Sequence, residues 1–171
     1  MDLNKASYET ILMIGTLEDL KKKLELTNET IEDIINRYVD LLGTSLSFRK
    51  FEISNYLLDN GATVNVISED GYNEFHILAT NIYYDGAIEI GKRLLKKGTS
   101  LMTIDKKDGN TAFFSLCNNG IARGEEIEDF LIECLDYVSD IDIKNKRGLS
   151  VRDIIEKRGT PRIKEIIKRK Y

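Results

Sequence analysis

The sequence predicts an all-α fold, a solenoid of about five helix pairs stacked along one domain. Three observations predict it. Gly71, Gly109 and Gly148 mark polar turns that recur at intervals of 38 and 39 residues. Each turn follows the same order of events: an apolar pair closing a helix, a helix stop, and one inward apolar residue. A single proline in 171 residues, amid many Leu, Ile, Lys and Glu, leaves few places where a helix must break.

The elements follow in order. Residues 7–24 read as an opening pair of helices joined at Gly15-Thr16. A helix is expected over about 29–42, because Ile31, Ile34, Ile35, Tyr38, Leu41 and Leu42 fall at helical spacing. Gly43-Thr44-Ser45 is expected to break it, and a second helix to cover about Phe48–Asp59. Gly61 and Gly98 then supply the left-handed residue that closes a helix, and Val138 stands at the third such place. Val64, Leu101 and Ile141 are the inward residues of the extended segments. Asn73, Thr111 and Ser150 are placed to cap the helices that follow the turns. The stretches 80–86 and 117–124 read as long loops between paired helices, where function often resides. Pro161 suits the first turn of a last helix, whose Ile163, Ile166 and Ile167 form one apolar stripe.

The segment Asp70-Gly71-Tyr72-Asn73-Glu74-Phe75-His76-Ile77-Leu78-Ala79 resembles the turn-and-first-helix motif of the ankyrin repeat. Phe75, His76 and Ala79 fall in its Leu, His and Ala slots. Asp108-Gly109-Asn110-Thr111-Ala112-Phe113 keeps the Thr, and Arg147-Gly148-Leu149-Ser150-Val151-Arg152-Asp153 resembles a common variant. The family repeats at about 33 residues, shorter than the interval here. The resemblance implies one domain over 1–171. It would hold an N-terminal cap unit (4–26), a divergent unit (27–67), two repeats (68–104 and 105–143) and a C-terminal cap unit (144–171). It also implies that His76 hydrogen-bonds neighbouring backbone and does no chemistry.

Other function classes find little support. No phosphate loop, dinucleotide fingerprint or nucleophile elbow occurs. One histidine and two separated cysteines make a poor zinc set, and no calcium-loop spacing is present. No metal or cofactor is therefore expected, and no enzymatic activity. Cys117 and Cys134 sit in apolar runs and read as buried thiols. Glu125, Glu126, Glu128 and Asp129 read as the solvated start of a helix, where the dipole favours acids, with a partner-facing acidic patch as the alternative. No apolar run is long enough to span a membrane. The N-terminus lacks a leader pattern, so the cytoplasm is the expected location.

The net charge of −4 conceals an uneven distribution. Residues 144–171 carry 11 Lys/Arg against 3 Asp/Glu, whereas the rest of the chain is strongly acidic. Such a body excludes a general nucleic-acid binder and suits a basic protein partner. By the resemblance, partner contacts fall around the turn glycines: Glu69, Asp70 and Tyr72, then Lys106, Lys107, Asp108 and Asn110, then Asn145 and Arg147. Tyr83 and Tyr84 form a second candidate, since two adjacent loop aromatics do not both enter a core. The expected function is recognition of another protein by a chain that is monomeric when free. By the resemblance, small ankyrin-repeat proteins of this kind often act as immunity partners of bacterial toxins, and a basic toxin or effector domain would fit the charge. A scaffold or regulatory adaptor is the alternative.

Overall fold

The computed structural model describes all 171 residues, and the protein is all-helical. Eleven α-helices follow one another: α1 (Tyr8–Ile14), α2 (Leu17–Thr27), α3 (Ile31–Arg37), α4 (Leu41–Ser47), α5 (Phe51–Asp59), α6 (Glu74–Ala79), α7 (Ala87–Lys96), α8 (Ala112–Gly120), α9 (Glu125–Cys134), α10 (Val151–Arg158) and α11 (Pro161–Lys170). No helix is long and apolar enough to cross a membrane.

Local chemistry sets most of the helix starts. Asn73, Thr111 and Ser150 each accept a bond from the backbone N–H three residues on, as their spacing predicts. Ser7, Thr16, Thr30 and Thr160 do the same for α1, α2, α3 and α11. Each such cap satisfies an amide that has no partner inside its helix and contributes about 1 kcal/mol. Gly61 and Gly98 take φ of +84° and +78°, which closes α5 and α7.

Two rows of helices result. The first row is α1, α4, α6, α8 and α10, each packed on the next. The second row is α2, α5, α7, α9 and α11, in the same order. Short helices cannot bury an apolar face alone, so each pair completes the core of its neighbours. Phe75, Phe113 and Phe130 are fully buried between the rows. Glycine sets the spacing at one crossing: a Cβ on Gly91 of α7 would lie 2.4 Å from the Phe130 ring of α9.

Three expectations are corrected. The region 29–42 is not one helix. The chain leaves α3 at Tyr38 and re-enters at Leu41, because Ile31 and Ile34 and then Leu41 and Leu42 are buried on separate helices while Tyr38 and Val39 face solvent. Gly43-Thr44-Ser45 is not a break but the middle of α4. A Cβ on Gly43 would strike the Asp40 carboxylate and press on Ile77 at 3.3 Å, so this glycine leaves room for both the Asp40 side chain and α6. The break comes at Arg49, with φ +58°, and the next helix begins at Phe51. The loop expected over 117–124 shrinks to four residues, since α8 runs on to Gly120.

Val138 stands where a closing glycine would stand. There the helix tightens into a single 3-10 turn, Leu135–Tyr137, before the chain becomes extended. The C-terminal residue completes this end: the Tyr171 hydroxyl lies 2.9 Å from the Leu135 carbonyl and 2.8 Å from that of Val138.

Candidate protein-binding surface

The three glycine turns line one edge of the molecule, at the N-terminal ends of the first-row helices. Each is opened by a side chain that accepts backbone N–H bonds. Ser68 takes the amide of Tyr72. Asn145 takes those of Arg147 and Leu149. Asp105 is buried and takes three, from Asp108, Gly109 and Asn110. The middle turn is one residue longer than the others, which is why Lys106 and Lys107 both project from it.

Backbone bonds tie the turns together. The Lys106 N–H donates to the Asp70 carbonyl at 2.8 Å, and the Lys146 N–H to the Asp108 carbonyl at 2.9 Å. Side chains reinforce the line. The Asn145 amide donates to Asn110 Oδ1 at 2.7 Å, and Arg147 pairs with Asp108 at 3.5 Å. Lys146 Nζ reaches the Lys106 and Lys107 carbonyls. Two of the turn glycines are fitted to this contact. A Cβ on Gly71 would lie 3.1 Å from Ile104 O and Lys106 N, and one on Gly109 would lie 3.2 Å from Lys146.

Behind the edge the first-row helices enclose a groove of about 360 Å³. Tyr72, His76, Asp105, Asp108 and Asn110 line its turn side, and Ile77, Thr80, Ser115 and Asn119 its helical side. The Tyr72 ring lies 5.3 Å from that of His76. Burial raises the Tyr72 phenol above its ordinary value, and the negative charges of Asp105, Asp70 and Asp108 add to the effect. The groove therefore presents an aromatic side chain in a negative field.

His76 is held on both ring nitrogens. Nε2 faces the Asn110 carbonyl at 3.2 Å, which can only accept, so the neutral ring carries its proton there; Nδ1 then accepts the Asn73 N–H at 3.2 Å, with Asn73 Oδ1 3.0 Å away. Burial lowers its pKa, against smaller raising effects of Asn110 and Asp105. No group of three His, Cys, Asp or Glu side chains is placed to hold a metal ion.

The structure brings together nine of the predicted contact residues. Glu69, Asp70, Lys106 and Lys107 are exposed at the turn tips, Arg147 is exposed beside them, and Tyr72, Asp108, Asn110 and Asn145 are half-buried. Tyr83 and Tyr84 are not part of this surface. Both are exposed, but they follow the C-terminal end of α6, across the helix row from the turns. Sequence reasoning missed Ile77, Thr80, Ser115 and Asn119. Their signal was the repeat itself: Ile77 and Ser115 are 38 residues apart, as Gly71 and Gly109 are.

No protein-family model matches the sequence, and no curated protein matches it. Among solved structures, the chain is similar to a functionally unknown protein from Leptotrichia buccalis C-1013-b. That likeness has a TM-score of 0.75 at 21% identity, over 97% of this chain and 93% of the other. It is a likeness of fold.

Proposed function

We propose that this chain is an ankyrin-type solenoid that recognises another protein along its turn edge and the groove behind it. The observation that carries the reading is the bonded line of turns. Asp70 to Lys106 and Asp108 to Lys146 fix three turns in one register through backbone alone. Glu69, Asp70, Lys106 and Lys107 then face outward on a rigid support, which lowers the entropy lost on docking. The stacking of five helix pairs and the His76 bond to the next turn support the ankyrin assignment. Engagement of both His76 nitrogens supports a binding role rather than a catalytic one.

Within the groove charge favours a basic segment of the partner, because Asp105 and Asp108 line it beside Tyr72 and no Lys or Arg does. A basic toxin or effector domain neutralised in the cytoplasm is the specific form of this reading; a scaffold or adaptor binding a basic protein is the other. Cross-linking and affinity purification from the native cell test both, with wild type set against Tyr72→Ala. A partner retained equally by the two proteins would remove the turn edge from the account. If that partner is a toxin, co-expression of wild type, but not of the variant, protects the cell.

A further inference from the structure

Across the helix row from the turns lies a second surface, built from the loops at the C-terminal ends of the first-row helices. Tyr83 and Tyr84 stack there with ring centroids 4.7 Å apart. The Arg49 guanidinium lies over Tyr84 at 4.6 Å, and that of Arg123 over Tyr83 at 5.4 Å. Four side chains from three successive loops thus form one column, and the two arginines hold the aromatic pair in place.

The tyrosines form one wall of a groove of about 460 Å³ between the loops that follow α6 and α8. Ile82, Ile88 and Ile127 add apolar lining to the groove beside the tyrosines. Its rim carries Asp85, Glu89, Glu125 and Glu126, all exposed. None of the four meets a Lys or Arg, although nearby Glu133 pairs with Lys92 and Asp129 with Arg162. Arg123 is the one cation lining the groove, and it is turned onto Tyr83. Apolar surface beside four carboxylates that form no ion pair suits long cationic side chains, which lay an alkyl stem on apolar surface and keep the charge outside.

We infer that this groove docks a cationic protein segment, whose Arg or Lys side chains lie between the Asp85/Glu89 and Glu125/Glu126 carboxylates with their stems against Tyr83 and the isoleucines. Charge complementarity decides the occupant. An acidic segment drawn to Arg49 and Arg123 would meet four carboxylates beside two guanidinium groups already stacked on rings. The surface is separate from the turn edge, so either can fail alone.

The test is a titration of the isotope-labelled full chain with an oligo-arginine peptide and, in parallel, an oligo-glutamate peptide, followed by amide shifts. Oligo-arginine is expected to shift amides in 82–89 and 123–128, with affinity falling at higher salt. The double variant Glu125→Gln/Glu126→Gln is expected to weaken this about tenfold. Its melting temperature should fall by only about 2–4 °C, since both side chains are exposed and lose only a screened interaction with the start of α9. Tyr83→Ala should also weaken binding, and Tyr72→Ala should not. The inference is overturned if those amides stay still, if their shifts survive the double variant, or if oligo-glutamate moves them equally.

Discussion

The Nε2–H of His76 donates to the Asn110 carbonyl across 3.2 Å, and so ties the first turn of α6 to the turn that opens α8. Replacing His76 by Ala leaves the buried Asn73 N–H without its acceptor, while the Asn110 carbonyl keeps the Asp105 N–H at 3.0 Å. The expected loss is about 1–3 kcal/mol of folding stability, read by urea denaturation. The Asn73 cap on α6 would also weaken, since its own N–H bonds the imidazole.

The pH dependence of stability has two opposing contributors on this one helix. Burial lowers the His76 pKa below its ordinary 6.5, so stability falls as pH drops from 6.5 through the folded value. Burial raises Glu74 above its ordinary 4.5, so stability falls as pH climbs from 4.5 through the folded value. Between pH 4.5 and 6.5 the two slopes have opposite sign. In His76→Ala, stability should rise less steeply with pH over this window than in wild type. In Glu74→Ala it should rise more steeply, on top of a loss of about 1–3 kcal/mol from the unmet Asn65 and Val66 amides. Denaturation midpoints measured across the window check both slopes.

Glycine substitution separates local strain from contact between turns. Gly71 and Gly148 occupy equivalent turns with φ of +85° and +74°, so alanine at either costs about 1–2 kcal/mol for the left-handed backbone. Only at Gly71 does the added methyl press on the next turn; at Gly148 nothing lies within 4 Å. Gly71→Ala should therefore be the more destabilising. Equal losses in thermal melts would mean that the turns do not bear on one another in solution.

Tyr171→Phe removes the hydroxyl that serves the Leu135 and Val138 carbonyls. The expected cost is about 0.5–1.5 kcal/mol. Hydrogen exchange should place it at the C-terminal end, in α9 and α11, with α1 to α6 unaffected.

Cys117 and Cys134 are both buried and free, and burial raises both thiols well above the ordinary value. A thiol reagent should label neither in the native protein at neutral pH, and both once denaturant unfolds it. Labelling of folded protein at the global unfolding rate is consistent with this; fast labelling is not.

Legibility in the sequence followed locality. Caps at Asn73, Thr111 and Ser150, closing glycines at 61 and 98, and Pro161 at the start of α11 depend on a few consecutive residues, and each is where the sequence placed it. Misreadings arose where apolar spacing alone had to decide. The pattern over 29–42 fits one helix as well as two, because spacing does not say which partner each face will meet. The sequence reads Gly43 as a helix break and Gly120 as loop, yet both lie within helices; a Cβ on Gly43 would strike Asp40 and then Ile77 of α6 at 3.3 Å, and one on Gly120 would strike Ile127 of α9 at 2.9 Å.

The sequence by itself determined an all-helical chain, the places of its turns and the candidate line of turn residues, because these rest on period, capping and left-handed backbone. Only the tertiary structure decided that nine of those residues share one edge and that Tyr83 and Tyr84 stand at the other. It alone gathered Arg49 and Arg123 around the tyrosines. Side chains 34 to 40 positions apart meet when separate helices settle on one another, and no short stretch of chain records that distance.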